Sequence, residues 1–363
     1  MKILILTYQG DVAGSTYSIS YLAHYLAERG HQIFVGCPQE RLLYKLFQNT
    51  KVKLIDIPFK SKFDINSILK IKEIVEKENI EIINAQSSYD RYASILSKWM
   101  YDLDAKIYHT RRQISKSMGG FIQNWFYTKG TDKIIAVSNE VKKSLVKSGL
   151  KDSHIKVIPN GTPLEKYKKI QVSETEKLRK KYDIKSGDFV IGCVSRYKRQ
   201  YQILEALLRI KKPVKLFLIG VKEDDFQKSL LENVKKCNHQ IIFESHIDQE
   251  KVLSYYPLFD IKILASTIEG LSQSLLEAMA IGIPVIATAA AGNLDLIENG
   301  KSGLLFDDGN VEELARNINY IRNNDFLKRK LVIEGRRTAL EEYSIEKTID
   351  LYEQFFLEEL NKR

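Results

Sequence analysis

Short β-branched runs alternate with amphipathic, helix-length stretches along almost the whole chain. KILILTY is followed by a helical pattern through SISYLAHYLAERG, and HQIFVGC, VKLIDIPF, IEIINAQ, AKIYHT, KIIAVS and IKVIPN then read as strands. The runs are nearly continuously apolar, as expected when helices cover both faces of a parallel sheet. The alternation therefore predicts a doubly wound α/β domain. It pauses at VIPNGTPLEKYKK, where Pro159, Gly161 and Pro163 break regular structure ahead of a charged helix from about Ser173 to Tyr182. It resumes with FVIGCVS, VKLFLIG, QIIFES, IKILAS and PVIAT, a second parallel sheet, which places a domain boundary near residue 165. From about residue 310 onward the pattern is helical.

Length agrees with this division, since 363 residues exceed the usual size of a single core. The N-terminal MKILILTYQG reads as a first strand rather than a signal peptide, and no apolar run approaches the ~18 residues of a membrane helix. Three scattered cysteines argue for a reducing compartment and against a zinc or redox pair, so a cytoplasmic protein is expected. The net charge of +10 is uneven: residues 1–165 carry 24 Lys and Arg against 16 Asp and Glu, and the remainder 32 against 30. The excess on the first half points to an anionic partner there, with solubility as the plainer alternative.

Ligands of open parallel sheets bind at the carboxyl ends of the strands, so the loops there decide the chemistry. The first loop, YQGDVAGSTYS, lacks the G-x-G-x-x-G of a dinucleotide site, and the second strand ends FVGCP with no acid for a ribose. Gly14 still permits close approach of a ligand at a helix N-terminus. After GCVS, the residues Arg196, Lys198 and Arg199 crowd a helix entrance, which suits a diphosphate or is a solvated basic turn. Tyr197 and Tyr201 interleave those cations, yet no aromatic strand motif accompanies them, and no nucleic acid is expected.

The most specific stretch is EGLSQSLLEAMAIGIPVIAT, residues 269–288. A helix is expected to begin near Ser272 or Ser274 and to stop at Gly282, leaving the amides around Leu271 as a positive end for an anion. Glu269 lies on the loop ahead of this helix and Glu277 lies within it. On one continuous helix their spacing would separate them by ~12 Å. A loop folding back at Glu269 would instead aim both carboxylates at the hydroxyls of one ligand. Two other readings compete: a capping box from Ser274 to Glu277, and a hydrolytic carboxylate pair.

This stretch resembles the signature of the retaining glycosyltransferases of family 4, the glycosyl transferases group 1: Glu, seven residues, Glu, then Ala-Met-Ala, Gly-x-Pro and an apolar strand. GNLDLIENGKSGLLF, KIIAVSNEVKKSLVKSGL with IKVIPNG, and the C-terminal YSIEKTIDLYEQFF are also similar to that family. The resemblance implies the GT-B arrangement, two Rossmann-like doubly wound domains facing across a cleft. Residues 1–165 would bind the acceptor, 166–344 the nucleotide sugar, and 345–363 would form a helix crossing back to the first domain. Glu277 would hold the ribose hydroxyls and Glu269 the donor sugar, with Gly270, Leu271 and Ser272 near the diphosphate. Arg196 and Lys198 would neutralise the diphosphate; the loop is two residues shorter than the family pattern, so Arg199 is a further candidate. Gly14 matches the second of a glycine pair whose first member is Ala13 here, and Ile247 matches a position that reads the base. In YHTRRQ, His109 or Arg112 would reach the donor. The implied co-substrate is a UDP- or GDP-linked sugar, with no metal or other cofactor. The implied acceptor is a lipopolysaccharide-core, lipid-linked or other envelope glycan, met at an anionic membrane face by the basic first half. A nucleotide-sugar epimerase and a non-catalytic nucleotide-sugar-binding subunit are the alternatives.

Overall fold

In the computed structural model, which describes all residues except 12, 115–119, 169, 246, 248 and 363, two sheets run entirely parallel. The chain divides into two compact units, Met1–Pro163 with Ile345–Arg363, and Leu164–Ser344.

The first unit holds β1 (Lys2–Leu6), β2 (Gln32–Cys37), β3 (Lys53–Asp56), β4 (Ile82–Ala85), β5 (Lys106–Arg111), β6 (Lys133–Ala136) and β7 (Ile155–Val157). Their order is β3-β2-β1-β4-β5-β6-β7, so the direction of winding reverses between β1 and β4. Alternate residues of one strand serve different cores. Ile3 and Ile5 pack beneath the helix Gly14–Glu28, whereas Leu4 and Leu6 join Ile68, Ile71 and Ile83 on the other face. The C-terminal helix Ile345–Leu360 completes this unit. Ile349, Tyr352, Phe355 and Phe356 bury one stripe against the same core as Leu22 and Leu26. Its other ties include Thr348 Oγ1 donating to Pro159 O at 2.9 Å and Glu353 paired with Arg29 and His31, each at 2.7 Å.

The second unit holds β8 (Val190–Val194), β9 (Lys215–Ile219), β10 (Gln240–Glu244), β11 (Ile261–Leu264), β12 (Val285–Thr288) and β13 (Leu304–Phe306), in the order β10-β9-β8-β11-β12-β13. Its reversal lies between β8 and β11. The five runs read as strands from their apolar character are present, and Leu304–Phe306 adds a sixth at the edge. That run is only three residues long, too short to register as a strand beside its glycine-rich flank. The charged helix expected from about 173 is Val172–Lys181. The fold class expected from the alternation, two Rossmann-like parallel-sheet domains, is therefore what the chain adopts.

Candidate active site

The loops leaving β8 and β11 flank the winding reversal of the second sheet, where an open α/β sheet leaves a crevice for a ligand. The β8 loop is held by one side chain. Gln200 Nε2 donates to Ser195 Oγ and to Arg196 O, both at 2.7 Å, while Gln200 Oε1 accepts from Lys198 N at 2.6 Å. From the next strand, Gly220 presses on the loop: its φ is +91° and a Cβ there would lie 2.9 Å from Ser195 O. The turn therefore has a defined shape. Arg196 is exposed and forms no ion pair among the described residues. Lys198 Nζ meets Glu269 Oε1, so the two loops are joined by an ion pair. Arg199 pairs with Asp308 at 2.7 Å, on the outer side of the same turn.

The β11 loop is packed from behind. A Cβ on Gly292 would fall 1.7 Å from Gly270 O, and Gly292 N donates to Glu269 O at 3.2 Å, so only glycine admits this approach. Gly270 and Leu271 are buried. Ser272 is the N-cap of the helix Gln273–Ile281, its hydroxyl accepting from Leu275 N at 3.4 Å, and Gly282 ends that helix at φ 92°. With Ser272 as the cap, the third helical residue is Leu275, so Glu277 lies beyond reach of the capping amide and the capping-box reading fails. The Glu277 carboxylate, 7% exposed, instead accepts from Lys166 Nζ at 2.9 Å and from Tyr256 OH at 2.8 Å. Each of its oxygens keeps a further lone pair. Burial opposes the charge on Lys166, but Glu277 beside it holds the ammonium above its ordinary value.

Three residues of this site escaped the sequence reading. Lys262, in the middle of β11, is fully buried and its Nζ has no hydrogen-bond partner among the described residues. Burial pushes it down to about 8, against the pull of Cys193, Glu269 and Glu277. It therefore lies within the electrostatic field of both acids. Lys166 and Tyr256 were missed as well, because each lies far from Glu277 in sequence and nothing local marks them.

The remaining candidates fall as follows. Ile247 is partly buried against the core of the second unit. Gly14 is the first residue of the helix Gly14–Glu28, beside the β1–β4 reversal of the first sheet. His109 does not present itself to a ligand at the strand ends. It is 1% exposed, and its ring stands edge-on to Tyr127 beneath the helices Ser88–Tyr101 and Phe121–Gly130. Strand alternation puts Arg112 on the opposite side, where Gln86 Oε1 accepts from it at 2.9 Å and Asn160 Oδ1 also accepts. Among the described residues, no group of three or more His, Cys, Asp or Glu is placed to hold a metal ion.

Two family profiles match the chain: Glycosyltransferase Family 4 over residues 12–166 and Glycosyl transferases group 1 over residues 174–338. The N-acetyl-alpha-D-glucosaminyl L-malate synthase of Bacillus anthracis is 24% identical over 380 residues, covering 99% of this chain and 98% of that one. The capsular polysaccharide biosynthesis glycosyltransferase CapM of Staphylococcus aureus is 25% identical, covering 77% of each chain. The crystal structure of Anabaena HepE in complex with UDP-glucose superposes with a TM-score of 0.81 at 20% identity, over the full length of both chains. With matching profiles on both halves and this fold, the chain belongs to the family 4, group 1 glycosyltransferases of GT-B fold.

Proposed function

We propose that the protein transfers a sugar, with retention of anomeric configuration, from a nucleoside-diphosphate sugar to a cell-envelope acceptor. The observation that carries this reading is the meeting of Lys198 and Glu269 across the winding reversal, with Arg196 exposed on one side and Glu277 on the other. Glu277 holds the ribose hydroxyls through its remaining lone pairs, and Glu269 orients the donor sugar. The diphosphate lies between Arg196, Lys198 and the backbone at Gly270, Leu271 and Ser272, where the helix N-terminus adds positive potential. Ile247 borders the base, and Gly14 lets the donor approach the first unit closely.

In the reaction the bond from the anomeric carbon to the phosphate oxygen breaks, and the acceptor oxygen bonds to the same face of that carbon. The departing phosphate oxygen takes the acceptor hydroxyl's proton. Negative charge grows on the diphosphate, and Arg196 and Lys198 stabilise it there. These cations are supplied by the protein, so this step is written without a metal. The capsule role named for CapM supports an envelope glycan as product. No helix among the described residues is long and apolar enough to cross a membrane. We place the enzyme in the cytoplasm, peripheral to the inner membrane face through its basic first half.

The test is a melting panel with UDP, GDP, ADP and CMP, each with and without EDTA. One nucleotide is expected to stabilise the protein by about 2.7 kcal/mol at ~100 times its dissociation constant, with no change on adding EDTA. No shift with any nucleotide would overturn the proposal, and a shift abolished by EDTA would overturn its metal-free form.

A further inference from the structure

At the winding reversal of the first sheet, the loops leaving β1 and β4 are tied together by one acid. The fully buried Asp90 carboxylate accepts from Gln86 N at 2.7 Å, Ser87 N at 2.8 Å and Tyr8 N at 3.3 Å. Thr7 Oγ1 also meets Ser87 Oγ at 2.6 Å across the same two loops. The clamp fixes the backbone of Gln86, and Gln86 in turn fixes Arg112. Its Oε1 accepts from Arg112 Nε at 3.2 Å and Nη2 at 2.9 Å, while Asn160 Oδ1 accepts from Nη1. A guanidinium only donates, so the oxygen of each amide must face it.

Both partners are neutral. They take three hydrogen bonds from a group with five N–H donors, which leaves two free. Asp90 acts on Arg91 but not on Arg112; burial pulls the Arg112 guanidinium below its ordinary value, and only Tyr352 opposes this. Arg112 forms no ion pair among the described residues, and the stretch 115–119 contains no Asp or Glu. Arg41 and Arg199, by contrast, each meet an aspartate, at 2.8 Å and 2.7 Å. Arg112 is also partly exposed. A cation held in place by neutral acceptors, open to solvent and with N–H groups to spare, suits a carboxylate or phosphate oxygen pair.

Tyr8 and Tyr89, one on each clamped loop, stack at 4.2 Å with their planes 18° apart, and both are partly exposed. Tyr8 N and Gln86 N bond to the same carboxylate, so the stack stands next to the loop that carries Gln86. An aromatic wall near a fixed cation suits a sugar ring that bears an acidic group, with its apolar face on the ring and its charge on the guanidinium.

We propose that the acceptor carries an oxyanion, a carboxylate or a phosphate on a sugar, which Arg112 holds in the first unit while the sugar lies along Tyr8 and Tyr89. The phosphates of the nucleotide sugar are assigned to Arg196 and Lys198, so this oxyanion belongs to the other substrate. The basic excess of residues 1–165, 24 Lys and Arg against 16 Asp and Glu, favours an anion on this side. The inference deepens the proposed transfer by naming the acceptor's chemistry. It rests on that reading for the acceptor's place in the first unit, and its readout needs neither donor nor turnover.

The full-length protein is titrated with glucose, glucuronate and a glucose monophosphate, and binding is followed by NMR and calorimetry. At least one of the two anions is expected to bind about tenfold more tightly than glucose, an advantage that added salt reduces. Whichever anion binds more tightly tells carboxylate from phosphate. Gln86→Glu sets an acid against Arg112 and leaves untouched the backbone amide that Asp90 holds. It is expected to remove the tenfold advantage and to melt no lower than the wild type. Arg112→Gln should remove the advantage as well. Glu277→Gln should keep it, which separates failure here from failure of the donor site. Four results overturn the proposal: anions that bind no better than glucose, variants that keep the preference, inorganic phosphate bound as tightly as the sugar anions, or loss of the nucleotide response in Gln86→Glu. The third would mean an ion site only, and the last would give Arg112 to the donor.

Discussion

Replacing Glu277 by Gln is expected to abolish the nucleotide-induced rise in melting temperature while leaving the fold in place. The Glu277 carboxylate is held at 2.9 Å from Lys166 Nζ and 2.8 Å from Tyr256 OH, and an amide oxygen can still accept from one of them. What the amide lacks is the charge that strengthens hydrogen bonds to vicinal hydroxyls, about 1.5–3 kcal/mol for a bond to a charged group. The weakening of nucleotide binding is then about 10- to 100-fold, read by calorimetry or by the melting panel. Glu277→Ala should do more. Besides the charge, which either change removes, it deletes the oxygens that accept from Lys166 and Tyr256, at a cost in stability of about 3 kcal/mol. Undiminished nucleotide binding by Glu277→Gln would reduce Glu277 to a structural partner of Lys166 and sink the ribose role.

The second large effect concerns Lys262. Its ammonium is buried without a hydrogen bond among the described residues, and burial brings it from an ordinary 10.5 down to about 8. That gap corresponds to about 3 kcal/mol held against the folded state at neutral pH. The sign follows from proton counting. Between about pH 8 and 10 the unfolded chain binds a proton that the native chain has released, so stability rises with pH over that window. Below pH 8 both states are protonated and the penalty is constant. Lys262→Met, similar in length and apolar, should therefore stabilise the protein by up to about 3 kcal/mol at pH 7. The gain should shrink as pH rises through 8 towards 10. Denaturant unfolding of both proteins at several pH values measures this, and parallel curves would show that Lys262 is not the cause.

The two cases differ in how visible they were from the chain alone. Glu277 stands out because an acid in an otherwise apolar helix, followed by Gly282 and Pro284, breaks the local pattern. Lys262 does not stand out, since IKILAS reads as a buried strand with one tolerated polar residue. Nothing in its neighbours in sequence indicates that Glu269 and Glu277 act on its charge. Arg199 shows the reverse difficulty. Three cations in four residues look interchangeable on paper, but Asp308, 109 positions away, pairs with one of them. His109 and Arg112 are three residues apart, and strand alternation alone sends them to opposite faces of the sheet.

What the sequence determined by itself is the layout. Apolar runs long enough only for strands, separated by amphipathic segments long enough for helices, can bury their surface only as parallel sheets covered on both sides. Glycines and prolines mark where those elements stop. These are local constraints, written within a dozen residues of each other. Tertiary structure alone decided which charges meet: Lys198 with Glu269, Lys166 with Glu277, and Arg199 with Asp308. Electrostatic pairing depends on distance through space and on exclusion of water. Both are set by how β8 and β11 come to lie side by side, although 66 residues separate the end of one from the start of the other.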